Sequence, residues 1–322
     1  MDQFEPVEVP SHRTKGDRDM IMRVTRLKYV FPIYGLVAVA AWAQPQQRLS
    51  LDFDQKQSMK AKGATAILDP RTNQEFRATI DKGTRAAERP EVVSQGCHTP
   101  PSCLRVSLDP SAKGAAKNKI MYSFWSHYKP LPGGEQGRIV IGDDRVTRIR
   151  FAMKLGEDYD TPPHQMIHFQ IFQPKEKGKV NKVKSVNPGG PILSLRIVPQ
   201  SRRKNKSPGV EEFIIVARSP DAQNLKYYDK RDAGVLFRGQ VRKGQWNDYS
   251  FVLQSDDRNG EMIGRVGFWL NDVKKFDRPV EWGFDPARYG VSPKLGFELG
   301  SYRSADPSGH QTVYFDDIRL DR

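Results

Sequence analysis

Three side chains that can move protons or bind a carboxylate stand at the polar positions of two apolar runs. His168 and Gln170 alternate with apolar residues in QMIHFQIFQ. Tyr302 ends the run KLGFELGSY, beside Gly296 and Gly300. Since successive strand residues point to opposite faces, His168 and Gln170 are predicted to share the polar face of their strand, and Tyr302 to lie on the polar face of its own strand. Imidazole and phenol groups exchange protons and an amide can hydrogen-bond a carboxylate, so the spacing indicates an acid/base site.

Charged side chains are predicted to lie on the same kind of polar face. The alternation turns Arg196 outward in PILSLRIV, and it turns Lys294 and Glu298 outward in the run that ends at Tyr302. If these faces belong to one concave sheet, they form a groove suited to an acidic sugar chain. The alternative is that polar residues simply occupy the solvated face of an antiparallel sandwich. The predicted ligands of an anionic chain are Arg148, Arg150, Arg196, Lys294, Glu298 and Tyr228.

Such residues could carry out β-elimination on a uronate chain. The proton beside a carboxylate is hard to remove until that carboxylate is neutralised or hydrogen-bonded, which arginine and glutamine side chains can do. A base then takes the proton and an acid protonates the departing glycosidic oxygen, and His168 and Tyr302 are candidates for both roles. Positioned donors matter because negative charge moves onto the carboxylate as the carbanion forms. This reaction requires no cofactor.

Short apolar runs position these residues. From Leu104 onward, runs rich in Val, Ile, Phe and Leu alternate with clusters of Gly, Pro, Asn, Asp and Lys, as in an all-β protein. About a dozen predicted strands suit an antiparallel sandwich of two sheets. No run keeps a helical period over several turns and no repeat of fixed length recurs, which disfavours solenoids and propellers.

The first 43 residues predict export. A start at Met22 would place three basic residues before the apolar run YVFPIYGLVAVAA, which ends at the small-residue boundary AWA, residues 41–43. This is the pattern of a secretory signal peptide preceded by a polar extension, and the alternative is a membrane anchor. We expect residues 44–322 to form one domain that is secreted, periplasmic or extracellular, with no membrane association after cleavage.

The charge of the chain predicts an anionic partner. Lys and Arg number 52 against 38 Asp and Glu, a formal net charge of +14. For an exported protein, uronate or sulfated polysaccharides are abundant anions, although a generally basic surface would give the same balance. Nucleic acid is not expected, because the basic residues lack the interleaved aromatic residues of a base-stacking surface. We expect the protein to act as a monomer.

One pair of cysteines predicts a disulfide bond, and one pair of aspartates is a candidate metal site. Cys97 and Cys103, in GCHTPPSC, are the only cysteines, and export predicts a disulfide between them. Zinc is the alternative because His98 is adjacent, but no second Cys/His pair stands at ligand spacing. Asp316 and Asp317 are adjacent carboxylates that could bind a structural calcium ion. No catalytic metal is predicted.

The C-terminal third resembles a known group of enzymes. The order of GQWNDYSFVLQ, GRVGFWL, PKLGFELGSYRS and VYFDDIRL is similar to that in polysaccharide lyases of the glucuronan lyase and heparin lyase I type. Their late motif Phe-Lys-x-Gly-x-Tyr matches Phe297, Gly300 and Tyr302 here. The resemblance implies an all-β fold, a two-sheet antiparallel β-jelly roll of the concanavalin A type. It also implies lyase activity, with Tyr302 as the catalytic acid or base.

Two positions depart from the family pattern. Glu298 stands where the family has a lysine, and Phe172 stands where a histidine would follow Gln170. His168, about 7 Å along the strand from Gln170, is the candidate to replace that histidine.

The sequence therefore predicts a secreted lyase that cleaves a uronate-containing anionic polysaccharide by β-elimination, with Tyr302, His168 and Gln170 as catalytic residues. The alternative is a lectin-like jelly-roll protein that binds acidic glycans without cleaving them.

Overall fold

Strands make up most of the chain that the structure describes. The computed structural model describes residues 47–53, 60–61, 65–69, 74–80, 90–109, 117–123, 139–140, 146–183, 188, 190–204, 206–219, 234–254, 263–304 and 309–321. In chain order the strands are β1 (Gln47–Leu51), β2 (Lys60–Ala61), β3 (Thr65–Asp69), β4 (Gln74–Ile80), β5 (Glu91–Val93), β6 (Cys103–Leu108), β7 (Lys117–Ser123), β8 (Ile139–Val140), β9 (Thr147–Leu155), β10 (Met166–Gln173), β11 (Gly190–Ile197), β12 (Val210–Ala217), β13 (Val235–Arg242), β14 (Trp246–Gln254), β15 (Ile263–Leu270), β16 (Val273–Glu281), β17 (Lys294–Ser304) and β18 (Gln311–Asp321). A one-turn helix, α1 (Pro286–Tyr289), precedes β17, and a 3-10 turn (Gln200–Arg202) follows β11.

The strands form two sheets. The ten-stranded sheet has the order β13-β12-β11-β10-β17-β7-β4-β3-β2, with β8 paired to β17. The eight-stranded sheet has the order β16-β15-β14-β9-β18-β6-β5, with β1 paired to β18. Neighbours such as β10 and β17, or β9 and β18, run antiparallel. The prediction of an all-β, two-sheet antiparallel sandwich is confirmed.

The hydrophobic core lies between the sheets and is rich in aromatic rings. Phe169 of the ten-stranded sheet lies with its ring centroid 4.5 Å from that of Phe251 in the eight-stranded sheet. Phe251 in turn lies 4.9 Å from Phe268. All three side chains are fully buried, and such ring pairs contribute about 0.5–1.5 kcal/mol beyond their buried area. Each sheet therefore turns one face to the core and leaves its other face for polar side chains.

The predicted disulfide is confirmed. Cys97 and Cys103 are bonded, with their Cα atoms 5.3 Å apart, and the bridge joins the loop after β5 to the first residue of β6. The chain just before the bridge is attached to the eight-stranded sheet, because the carbonyl of Gly96 accepts a hydrogen bond of 2.9 Å from Trp246 Nε1.

All described residues belong to one compact unit, Gln44–Arg322. The predicted polar extension and signal peptide, residues 1–43, lie outside the described residues, so export stays a prediction. Within the described ranges, no helix combines the length and the hydropathy that crossing a bilayer requires.

Candidate functional site

Strand β17 presents Tyr302 and Glu298 on the outer face of the ten-stranded sheet. Leu299 is buried in the core, and its neighbours two residues apart along the strand share that inward direction. Tyr302, in register with Ile167 of β10 and Lys119 of β7, is half-buried and turns the other way. Gly300 lies between Glu298 and Tyr302 with φ +149°, and a Cβ there would approach the Ile120 carbonyl to 2.0 Å. Glycine is therefore required at this point of the strand.

Strand β10 contains a bulge at His168 that reverses its alternation. Ile167 pairs with Arg196 of β11 and Phe169 pairs with Leu195, so β10 has one more residue than β11 at this point. Ile167 and Gln170 consequently lie on the outer face, whereas the His168 side chain is fully buried. The prediction that His168 and Gln170 share one face is wrong, because the inserted residue shifts the alternation between them.

Both nitrogens of the buried His168 imidazole form hydrogen bonds. Nδ1 lies 2.8 Å from the Gly300 carbonyl, which can only accept, so Nδ1 carries the proton and donates. Nε2 is then left to accept from the Tyr159 hydroxyl at 2.9 Å. Burial lowers the pKa of His168 to about 4, which is only partly opposed by the Gly300 contact. His168 is thus neutral at pH 7 and ties β10 to the segment of β17 before Tyr302.

Five outer-face side chains form what we term the outer-face cluster: Lys119, Ser123, Gln170, Glu298 and Tyr302. The Glu298 carboxylate accepts hydrogen bonds from Gln170 Nε2 and, at 2.8 Å, from Ser123 Oγ. Lys119 Nζ lies 3.5 Å from Glu298 Oε2 and 5.3 Å from the centroid of the Tyr302 ring. The ammonium group therefore lies between a carboxylate and a phenol, where cation–π attraction favours it.

Lys119 and Ser123 were not among the residues predicted from the sequence. They alternate in KNKIMYS with residues of the core, as Gln170 does in its own run. That alternation was the available signal, but it cannot show that β7 pairs with β17.

Arg196 extends the site across β10. It pairs with Ile167, which pairs with Tyr302 on the other side, so the three residues lie in one row across three strands. Strands are about 4.8 Å apart, which places the Arg196 and Tyr302 backbones about 10 Å apart. The guanidinium is buried and donates from Nε to Ser194 Oγ at 2.6 Å and from Nη1 to Gln165 Oε1 at 2.7 Å. It supplies positive charge beneath the outer face.

The remaining predicted ligands have different outcomes. Arg148 and Arg150 are exposed on β9, which belongs to the eight-stranded sheet, so they face away from Tyr302 on the opposite side of the sandwich. The prediction that they share its face is wrong, because alternation shows which side chains point outward but not which sheet holds the strand. Lys294, at the first position of β17, is exposed and by the alternation of that strand shares the outer face of Glu298, as predicted. Tyr228 lies outside the described residues.

A second polar region lies on the eight-stranded sheet, where Asp248, Asp272, Asp317 and two arginines line a pocket of about 210 Å³. Thr99 binds both neighbouring carboxylates: its amide donates to Asp316 at 2.9 Å and its hydroxyl to Asp317 at 2.7 Å. Burial raises the pKa of Asp316 to about 7. These contacts hold the disulfide loop on β18. Among the residues described, no group of three or more His, Cys, Asp or Glu side chains could hold a metal ion, and structural calcium stays a prediction.

Comparisons with known proteins identify the fold. The sequence matches no protein-family model and no curated protein. The structure is similar to the endo-β-1,4-glucuronan lyase of the fungus Trichoderma reesei, with a TM-score of 0.50, 12% identity, and coverage of 86% of this chain and 95% of that chain. It is also similar to the alginate lyase Aly36B, with a TM-score of 0.47, 14% identity, and coverage of 86% and 97%. At 12% identity, the likeness to the glucuronan lyase shows a shared fold alone, the β-jelly roll.

Proposed function

We propose that this protein is a polysaccharide lyase that cleaves a uronate-containing anionic polysaccharide by β-elimination. The observation that carries the proposal is the position of Lys119 Nζ, 5.3 Å from the Tyr302 ring, on a sheet face that also holds Arg196. A phenol beside an ammonium group, with a guanidinium two strands away on the same sheet, is suited to act on a sugar whose carboxylate becomes more negative during reaction.

Each residue has a part in the reaction. The C5 proton of the uronate leaves, its electrons form the C4–C5 double bond, and the C4–O glycosidic bond breaks. Tyr302 takes the proton and returns one to the leaving oxygen. Lys119 and Arg196 stabilise the charge on the substrate carboxylate. His168 is a positioning residue, since its bond to the Gly300 carbonyl fixes β17 two residues before Tyr302.

The fold and the charge support this proposal. The glucuronan lyase that shares the fold acts, by its name, on a uronate polymer. A net charge of +14 favours association with such a polyanion. Residues 1–43 carry the pattern of a signal peptide, so we further propose that the lyase is secreted and meets its substrate outside the cytoplasm.

A lectin-like protein is the second candidate. Glu298 places a carboxylate on the face where the resembling lyases carry a lysine, and His168 is withdrawn into the interior. Both features fit a surface that binds sugars without cleaving them.

One assay separates the two candidates. The purified protein is incubated with glucuronan, alginate, heparin and hyaluronan, and the ultraviolet absorbance of the unsaturated uronate product is followed. The lyase predicts an increase on at least one polymer. Retention on a polymer column with no increase on any polymer would support the lectin-like protein instead.

A further inference from the structure

From the outer-face cluster we infer that the substrate carries a neutral sugar next to the uronate that reacts, and that Glu298 selects it. The inference rests on the proposed lyase function and names its substrate class, a polymer in which uronate and neutral sugars alternate. The contacts of Glu298 support it, and so does the Gln170 Oε1 acceptor, which has no hydrogen-bond partner among the described residues.

The Glu298 carboxylate is a fixed part of the sheet face. Ser123 and Gln170 bind it from the strands on either side, and Lys119 lies 3.5 Å from Oε2. Its side chain is only 11% exposed. Moving this carboxylate aside for a ligand would break contacts to both neighbouring strands and leave buried partners unpaired, which is unfavourable.

Gln170 presents a second acceptor beside it. Because a carboxylate only accepts, the Gln170 amide must turn its nitrogen to Glu298. Its Oε1 is then buried and has no hydrogen-bond partner in the part of the chain that is described. A buried acceptor without a donor is unfavourable, so this position favours a ligand that brings O–H or N–H groups.

A uronate carboxylate does not fit these two acceptors. It has no proton to donate, and it would bring a second negative charge towards Glu298. A neutral sugar, with hydroxyl or amide donors, satisfies both acceptors without that repulsion. The chemistry of Glu298 and Gln170 therefore selects against charge at this position.

The position is separate from that of the reacting sugar. Glu298 and Tyr302 are four residues apart on β17, and Gly300 leaves the space between them without a side chain. Lys119 Nζ lies 3.5 Å from Glu298 Oε2 and 5.3 Å from the Tyr302 ring centroid, so the two side chains are distinct but neighbouring contact points for adjacent sugars. The uronate is therefore placed at Tyr302 and Arg196, and the neutral sugar at Glu298 and Gln170.

The test compares wild type with Glu298→Gln, which keeps the size of the side chain and removes its charge. Cleavage rates are measured on polyglucuronate, in which every sugar is charged, and on unsulfated hyaluronan, in which uronate and neutral sugars alternate. We expect wild type to prefer hyaluronan, and Glu298→Gln to raise the rate on polyglucuronate relative to hyaluronan about tenfold by removing the repulsion between like charges. Glu91→Gln, the same change on the eight-stranded sheet, should leave the ratio unaltered.

Binding provides a readout that does not require turnover. The dissociation constants of polyglucuronate and hyaluronan oligosaccharides are measured by calorimetry for the Tyr302→Phe variant and for the double variant that adds Glu298→Gln. A ratio that shifts about tenfold toward polyglucuronate in the double variant supports the inference. A wild-type preference for polyglucuronate, or a ratio that Glu298→Gln does not change, overturns it. Absence of product from every polymer would instead contradict the lyase function, while the binding ratio still decides the role of Glu298.

Discussion

Lys119 and Tyr302 are the two side chains on which the proposed reaction most depends. Lys119 Nζ lies 5.3 Å from the ring centroid, and the lysine side chain is 18% exposed, so a ligand can reach it. Near a sheet surface, an ammonium ion a few ångströms from a carboxylate contributes several kcal/mol of attraction before desolvation is counted. Tyr302 was predicted from the sequence, as was Arg196, which lies on the same sheet face as this pair, whereas the predicted Arg150 lies on the other sheet.

Replacement of Lys119 tests that pairing. We expect Lys119→Met to lower kcat/KM on the preferred polymer by about 10²-fold, because the developing carboxylate charge loses its nearest cation. Lys119→Arg should recover much of the loss, since it restores the charge. Lys294→Met, at the exposed start of β17, removes an equal charge far along the strand from Tyr302. It should have little effect on kcat/KM. Equal losses in Lys119→Met and Lys294→Met would show that only net charge matters.

At the scale of elements, the bulge in β10 decides which residues reach the site. The alternation of β17 could be predicted from its sequence, because Leu295, Phe297 and Leu299 mark the core face without interruption. The bulge in β10 could not be predicted, because apolar residues occur on both sides of His168 in QMIHFQIFQ. The sequence pattern is therefore the same with or without an inserted residue. The structure shows that Met166 rather than Ile167 joins the core before the bulge.

The buried His168 predicts a dependence of stability on pH. Its pKa is about 4 in the folded protein, against an ordinary value of 6.5 for a solvated histidine. Below pH 6.5 the unfolded chain takes up a proton that the folded chain does not, so stability is lost as pH falls from about 6.5 to about 4. The shift corresponds to roughly 3 kcal/mol of unfolding free energy.

The measurement is denaturant unfolding at pH 7 and pH 4 for wild type, His168→Gln and, as control, His164→Gln in an exposed loop. Asp316, whose pKa is raised, adds stability as pH falls and so acts against the histidine. Wild type and both variants share this contribution, so comparing their pH dependence isolates the effect of His168. We expect His168→Gln to be less stable at pH 7 and to lose less stability on acidification. A pH dependence identical to that of wild type would contradict the assignment of His168 as a buried neutral group.

At the scale of the whole molecule, the two sheets present different outer faces. The ten-stranded sheet carries the outer-face cluster, and the eight-stranded sheet carries a pocket of mixed charge that includes Arg150 and Asp317. The sequence was sufficient to predict the sandwich, because alternating apolar runs are enough to specify two sheets around one core. It could not assign β9 to the eight-stranded sheet, since that pairing depends on contacts with the distant strands β14 and β18.

The net charge of +14 predicts that salt weakens substrate binding. Raising the ionic strength from about 0.01 M to about 0.15 M shortens the Debye length from about 30 Å to about 8 Å, so long-range attraction of a polyanion is largely screened. We expect KM to rise across this range while kcat changes little, as measured by initial rates on the preferred polymer. A KM that does not depend on salt would show that the basic surface plays no part in binding.

The most direct test of the central claim is the rate of unsaturated product formation in Tyr302→Phe against Tyr314→Phe. Tyr314, on the eight-stranded sheet, also has a lysine over its ring, with Lys154 Nζ 4.4 Å from the centroid. The two substitutions thus remove the same hydroxyl from similar surroundings on opposite sheets. Tyr302→Phe is predicted to lower the rate by at least about 10²-fold while Tyr314→Phe retains it. Full activity in Tyr302→Phe would contradict catalysis on the outer face of the ten-stranded sheet.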